Sequence, residues 1–451
     1  ICIVIVTIFL IITLSAIDYR NYKRTFPCIV LLVFVFSIVY FSPQTYLSYF
    51  SFSGGEIEPL RDRDNIHKNG RLSMSLFWEA ERIDAILKLR PLAKNIDDSE
   101  EFRTIDMVKG ISGKKNVHLI VLESFFDPSL FREVVFSEPS LHPKLIEVFN
   151  GQLCLSRSPV FGGRSAQAEF EVLTGMPAFS EFSDVDFNIF NGSPTKGLPW
   201  ILRKSGYLTI ATNSYMMNAF NVDNAYRSLY FEEIYFPKEY SKGRPTYIQR
   251  GNLDKKIFMT DEYLLNKNLE FIKEKIKKNP DKPVFNYVLG VDGHWPFDIQ
   301  PGKKQERIKV LSPTDFDKEL LEKFANQLYY RSKAVADYVE EIKKIDYDSV
   351  IIVIGDHLPR LELGLWKDMG PELYKKLKYI DSSKEDHEYS LVAGIDGDMA
   401  MDFKNMHHYN VKDYVLNSIT SGQYCVENTC SVQDRELLRD KYREIMAMGV
   451  H

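Results

Sequence analysis

Two stretches far apart in the chain set the strongest limits on its fold. Asn116-Val117-His118-Leu119-Ile120-Val121-Leu122-Glu123 and Val350-Ile351-Ile352-Val353-Ile354-Gly355-Asp356-His357 are short, mostly apolar and rich in β-branched residues, and each stops at acidic or imidazole side chains. Runs of that kind predict strands buried on both faces, as in parallel sheets. Ligands of open α/β sheets bind outside the carboxyl ends of the strands, so Glu123 and the Asp356-His357 pair are expected at one site. Further strands are predicted over 207–212 and 285–289, and a long amphipathic helix over 319–345. Strands alternating with such helices predict an α/β fold with a mainly parallel central sheet.

Gly162-Gly163-Arg164-Ser165-Ala166-Gln167-Ala168-Glu169-Phe170 is the third informative stretch. Two glycines allow a sharp turn, and the small residues that follow open a helix, so the Ser165 hydroxyl is expected at the mouth of the turn. On this stretch alone, an ordinary Gly-Gly loop capped by a serine is the favoured reading. Joined to the two strands, it completes a set of one serine oxygen, two carboxylates and one imidazole. That mixture suits Mn²⁺, Zn²⁺ or Mg²⁺, with the carboxylates favouring the harder ions. A cation on the serine oxygen would lower its pKa and make it a nucleophile near neutrality.

At 451 residues and 45% hydrophobic content, the chain can bury a large core. Its formal net charge of -5, without long single-sign blocks, gives no electrostatic footprint for nucleic acid. Residues 1–17 are apolar apart from Thr7, Thr13 and Ser15, and residues 28–42 form a second apolar run. Neither alone reaches the ~20 residues of a full span, but the second can recruit Phe26-Pro27 and the aromatics up to Phe50. With no small-residue cleavage chemistry at the second run, an anchored pair is preferred to a signal peptide. Arg20, Lys23 and Arg24 between the runs place that loop in the cytoplasm, and the rest of the chain on the outer face of the plasma membrane. The chain opens inside an apolar run without methionine, which reads as a piece of a longer, multi-pass protein. The expected division is transmembrane helices over 1–47, a juxtamembrane linker over 48–112, a catalytic domain over 113–420 and a C-terminal tail over 421–451. Of the five cysteines, only Cys425 and Cys430 are close in sequence. A disulfide in an oxidising compartment and two reduced thiols both fit them.

With these segments in order, the chain resembles the lipoteichoic acid synthase family of phosphoglycerol transferases, within the alkaline phosphatase and sulfatase superfamily. The resemblance runs over about residues 116–397 and is carried by Leu122-Glu123-Ser124-Phe125, Gly163-Arg164-Ser165, Glu169-Phe170-Glu171-Val172-Leu173-Thr174-Gly175, Gly293-His294-Trp295-Pro296-Phe297 and Ile354-Gly355-Asp356-His357-Leu358-Pro359. It implies that Glu123, Ser165, Asp356 and His357 hold one divalent ion, usually Mn²⁺, that Ser165 forms a covalent intermediate, and that His294 contacts the phosphate or the leaving oxygen. The family usually has threonine where Ser165 stands, a mild departure. A histidine and an arginine that hold glycerol phosphate in the family correspond here to Asn213 and Val222, with Phe220 at an expected aromatic position. Losing a cation from a phosphate pocket removes ~1.5 to 3 kcal/mol, and Arg164 and Arg227 are the candidates to replace it.

The implied function is membrane-anchored transfer of a phosphoglycerol group from a phospholipid donor to a surface glycan or glycolipid acceptor. Phosphoethanolamine transfer on the same fold and a non-catalytic polyanion-binding or scaffold domain are the alternatives. Ser165 is followed by Ala166-Gln167-Ala168 rather than the Pro and Arg that formylglycine formation needs, which disfavours sulfate ester hydrolysis. Asp292 and His294 do not complete a second metal site. His118 is expected in the sheet, and His387, His407 and His408 in solvated loops.

Overall fold

The computed structural model describes residues 22–53, 56–57, 62–95, 98–132, 134–237, 258–297, 304–312, 314, 316–361, 388–428, 430 and 435–451. The chain divides into a first unit, Ile1–Lys88 with Phe182–Asp184, and a second, Leu89–Glu181 with Val185–His451.

In the first unit, helix α1 (Tyr22–Phe41) ends at Ser42, and α2 (Pro43–Phe52) begins on a proline that has no N–H to continue the preceding helix. Helix α3 (Asp62–Asn69) leads into α4 (Arg71–Leu89). Val39 packs with Leu76 and Ala80, and Phe50 with Met74 and Phe77. Most of the described side chains of α1 are apolar and exposed, Leu31, Phe34 and Phe41 among them. No single described helix is long and apolar enough to cross a membrane; residues Ile29–Phe41 and Pro43–Phe52 together are, but they bend by 111° at their break. The first apolar run, 1–17, lies outside the described residues. Much of the stretch read as a linker is helical, through α3, α4 and α5 (Ser99–Gly110).

The second unit is built on a nine-stranded sheet of order β4-β3-β5-β1-β6-β7-β2-β9, with β8 pairing β7. The strands are β1 Val117–Leu122, β2 Cys154–Ser158, β3 Leu208–Asn213, β4 Glu233–Tyr235, β5 Val284–Gly290, β6 Val350–Gly355, β7 Glu388–Asp396, β8 Met399–Ala400 and β9 Met406–His407. From β4 to β6 the pairing is parallel, and β7 then runs antiparallel to both β6 and β2. Every residue of β1, β5 and β6 is buried, as expected for strands covered on both faces. On one face Ile120, Ile210, Val288, Val353 and Ala393 join Leu264, Ile272, Phe324, Val335 and Val339 of two long helices in a single core. Their alternation along each strand is the period of two that a pleated sheet imposes. Helices α6 (Ser165–Thr174), α7 (Val222–Ser228), α8 (Asp261–Lys278), α9 (Lys318–Ile345) and α10 (Arg439–Gly449) complete the parts used below. Cys425 and Cys430 are disulfide-bonded.

The four strands expected from sequence are present within one or two residues, and so is the helix α9. The antiparallel β7 and β2 were not anticipated. His408, expected in a solvated loop, is instead fully buried, with Nδ1 2.8 Å from the Arg157 carbonyl and Nε2 2.9 Å from the Gly355 carbonyl. It fills the space between β2 and the end of β6, a long-range contact that local polarity does not reveal. His118 lies in the sheet, its Nδ1 3.2 Å from Asn286 Nδ2. His387 lies outside the described residues.

Candidate active site

Sheet register brings the ligand residues together. Leu122 pairs with Gly290 on one side and Gly355 on the other, so Glu123 and Asp356 leave the sheet at the same level. The Glu123 N–H donates to the Gly290 carbonyl at 2.8 Å, and the Asp356 N–H donates to the Leu122 carbonyl at 3.0 Å. Ser124 then turns sharply, with φ 49 in the left-handed region. Gly355 is needed for close approach, because a Cβ there would overlap the Phe125 carbonyl. Arg164, also left-handed at φ 62, delivers Ser165 as the first residue of α6.

The hydrogen-bond pattern singles out which atoms face the centre. Asp356 Oδ1 accepts from the N–H groups of Ser124 and His357, both at 2.7 Å. The His357 Nδ1 lies 2.9 Å from the Leu358 carbonyl; as the N–H donor there, it leaves a lone pair on Nε2. That Nε2 is 3.2 Å from Asp356 Oδ2 and 3.3 Å from Glu123 Oε1. Ser165 Oγ donates to Glu123 Oε2 at 3.0 Å. Asp356 Oδ2 and His357 Nε2 are buried and make no hydrogen bond.

Three converging acceptors in a desolvated place are costly unless a cation lies among them. Glu123, Asp356 and His357 form a group whose ligand atoms lie within 4.8 Å of one another. Contacts of about 3.2–3.5 Å are those of ligands sharing a divalent ion at ~2.1 Å, so these residues fit such an ion. Without one, burial and then the Glu123 charge push the Asp356 carboxyl up to about 7. Burial would also raise Glu123, but His357, His294 and the Ser165 and Ser124 hydroxyls outweigh it and hold its pKa below the usual value. Burial disfavours the His357 imidazolium, yet the two carboxylates raise its pKa.

The remaining predicted residues divide by position. His294 sits on the loop after β5, exposed, with its ring 4.6 Å from Phe258 and within Coulombic reach of Glu123. Asn213 is buried at the end of β3; its Oδ1 accepts from Tyr215 N–H at 2.7 Å and its Nδ2 donates to Tyr226 Oη at 3.1 Å. Phe220 is partly exposed with φ 48, and Val222 is buried. Arg227 is exposed and forked onto Asp223 at 3.0 and 3.2 Å on the surface of α7. Arg164 is half-buried beside Ser165.

Three supporting groups escaped the sequence reading. Arg360 lies against Gly162 and within Coulombic reach of Glu123 and Arg164. Its signal was a basic residue just past Asp356-His357-Leu358-Pro359. Glu169, one turn after Ser165, accepts from Tyr226 at 2.5 Å and Tyr287 at 2.8 Å. Arg331 donates to the Glu123 carbonyl at 2.8 Å and to Asp261 Oδ2 at 2.6 Å, with both side chains buried. The Glu169 and Arg331 contacts span 57 to 208 residues, which no local pattern announces.

A family model described as Sulfatase matches residues 115–394, which contain every residue of this cluster. The chain belongs to the sulfatase family. Within it, the chain is 28% identical over 288 residues to a Rhizobium meliloti (strain 1021) protein named for a proposed role in cyclic beta-1,2-glucan modification, covering 62% of this chain and 42% of that protein. The chain therefore spans about two fifths of that relative's length. Among solved structures, lipoteichoic acid synthase LtaP from Listeria monocytogenes has a similar fold, with a TM-score of 0.51 and 22% identity over 70% of this chain and 78% of that one. Streptococcus pyogenes phosphoglycerol transferase GacH, solved in complex with sn-glycerol-1-phosphate, gives a TM-score of 0.53 at 17% identity, over 81% of this chain and 92% of that one. At such identities the likeness shows the fold. This sulfatase-family fold carries the Glu123, Asp356, His357 and Ser165 cluster at the carboxyl edge of its sheet.

Proposed function

We propose that the protein is a membrane-anchored, metal-dependent transferase that moves a phosphoglycerol group from a phospholipid to a cell-surface glycan or glycolipid through a phospho-Ser165 intermediate. The observation that carries this reading is the placement of Ser165 Oγ on Glu123, inside a cluster whose buried Asp356 and His357 atoms lack hydrogen bonds. A divalent ion held there by Glu123, Asp356, His357 and Ser165, with Mn²⁺ ahead of Mg²⁺ or Zn²⁺, would acidify the serine hydroxyl and offset phosphate charge. Ser165 Oγ then bonds to phosphorus as the phosphorus–oxygen bond to diacylglycerol breaks, and the departing oxygen takes up a proton. His294, exposed after β5 and within Coulombic reach of Glu123, would attend that oxygen. An acceptor hydroxyl next attacks phosphorus, loses its proton and frees Ser165.

The glucan-modification name of the Rhizobium relative supports a glycan acceptor, and the ligand in the GacH structure supports glycerol phosphate as the transferred group. An outward-facing catalytic unit at the plasma membrane agrees with the exposed apolar α1 and with the Cys425–Cys430 disulfide, which suits an oxidising compartment. Phosphoethanolamine transfer is the second reading. It is favoured by Asn213, whose amide is engaged by Tyr226 and Tyr215, and by Val222, both at positions where the resembling family holds glycerol phosphate with cations. Mass spectrometry of the Ser165 peptide after incubation with phosphatidylglycerol tests the reading. A glycerol phosphate adduct is expected. An ethanolamine phosphate adduct, formed from phosphatidylethanolamine instead, favours the second reading, and no adduct from either lipid with metal present indicates a non-catalytic domain.

A further inference from the structure

We propose that Arg331 is a positioning residue of the metal site: from the middle of α9 it fixes the peptide unit between Glu123 and Ser124, and with it the carboxylates of Glu123 and Asp356. Its consequence for catalysis rests on the function proposed above, whereas its consequence for metal binding does not. The guanidinium is buried and held on several sides. Nε donates to Asp261 Oδ2 at 2.6 Å, Nη2 donates to the Glu123 carbonyl at 2.8 Å, and Cζ lies 5.6 Å from the centre of the Phe125 ring.

The Glu123 carbonyl and the Ser124 N–H belong to one planar peptide unit. That N–H donates to Asp356 Oδ1 at 2.7 Å, so the unit is held by Arg331 at one end and by Asp356 at the other. A charged donor on the carbonyl also polarises the N–H across the same amide. Rotation of this peptide would swing the Glu123 side chain and release Asp356 Oδ1, the oxygen whose hydrogen bonds leave Oδ2 to the cluster.

The same helix holds the next loop. Gln327, one turn before Arg331, donates from Nε2 to the Asp292 carbonyl at 2.7 Å, and the Asp261 N–H donates to Asp292 Oδ2 at 3.1 Å. Gly293 follows, and a Cβ there would overlap both the Glu123 carbonyl and Arg331 Nη1. His294 thus leaves a loop packed on the carbonyl that Arg331 holds. A fully buried ion pair adds little net stability over apolar residues of similar volume, so stability alone does not account for an arginine at this place. What apolar packing could not supply is a donor to the backbone of the loop after β1.

The test compares the full chain in detergent with Arg331→Met and with Arg331→Met/Asp261→Asn, in which Asp261 is no longer left as an unpaired charge. Mn²⁺ is titrated into each by calorimetry, and the electron paramagnetic resonance spectrum of bound Mn²⁺ is recorded. The double variant is expected to melt closer to wild type than the single one, yet to bind Mn²⁺ about ten- to a hundredfold more weakly and with an altered spectrum. Mn²⁺ affinity that returns to the wild-type value in the double variant overturns the proposal, and so does a wild-type chain that takes up no Mn²⁺. If neither variant folds, Gly293→Ala decides, because its methyl group presses on the same carbonyl: weakened Mn²⁺ binding is expected, and wild-type affinity overturns the proposal. Formation of the Ser165 adduct from phosphatidylglycerol or phosphatidylethanolamine is followed in parallel. Arg331-dependent Mn²⁺ binding without any wild-type adduct leaves the positioning role standing and removes the transfer reading. A wild-type adduct together with Mn²⁺ affinity unchanged in the double variant does the reverse.

Discussion

Ser165 makes its described hydrogen bond to the Glu123 carboxylate, so replacing the serine separates chemistry from stability. Ser165→Ala is expected to abolish turnover and the lipid-derived adduct. Because solvent can reach this half-buried position, the metal-free protein should lose only about 1 kcal/mol, read by calorimetric melting. Glu123→Gln and Asp356→Asn each replace an anionic oxygen with a neutral amide. Each should weaken Mn²⁺ binding by about tenfold or more, with activity partly recovered at high Mn²⁺. Titration of Mn²⁺ into both variants checks this, and wild-type affinity in both would remove the proposed ligand set. At this scale Glu123, Asp356, His357 and Ser165 were legible because each lies at the end of a recognisable pattern. Arg360 and Arg331 were not, since their partners are remote in sequence.

Helix α6 carries both the candidate nucleophile and two buried acids, and its stability should therefore follow pH. Glu171 accepts from the Ala178 N–H at 2.9 Å, and burial, partly opposed by Arg435, pushes its pKa from 4.5 up to about 8. The folded state thus favours the neutral acid. Its stabilising contribution is full below about pH 4.5 and is lost as pH rises through 8. Glu171→Gln, which cannot ionise, should gain stability relative to wild type between pH 5 and 9, by at most about 5 kcal/mol. Parallel melting curves in urea across that range would show no divergence if Glu171 were already charged at pH 5. Between α8 and α9, the buried Asp261–Arg331 pair also supports the Glu123 backbone. Arg331→Met should cost ~3–5 kcal/mol by leaving Asp261 unpaired, and adding Asp261→Asn should recover part of that loss. Additive losses in urea unfolding would mean that the two do not act as a pair.

For the whole molecule, the exposed apolar surface of α1 and α2 predicts association with a lipid-like phase. The full chain should partition into the detergent-rich phase of a cloud-point separation, and a chain beginning at residue 56 into the aqueous phase. Equal partitioning would assign membrane affinity elsewhere. Hydropathy reads the apolar runs as transmembrane helices; the bent Ile29–Phe41 and Pro43–Phe52 pair shows that composition can satisfy a span while Ser42 and Pro43 break the helix.

By itself the sequence determined the parallel strands β1, β3, β5 and β6, because burial on both faces forces continuous apolar runs, and it determined that Glu123 and Asp356-His357 stand at their carboxyl ends. It also marked Ser165 through the glycines that its turn requires. Only the tertiary structure decided that β7 and β2 extend the sheet in the antiparallel sense, that Cys425 and Cys430 pair, and that Arg360 rather than Arg227 lies beside the Ser165 turn. The physical reason is range: periodicity and turn chemistry act over a few residues, whereas a guanidinium's neighbours are set by which loops the sheet register brings together.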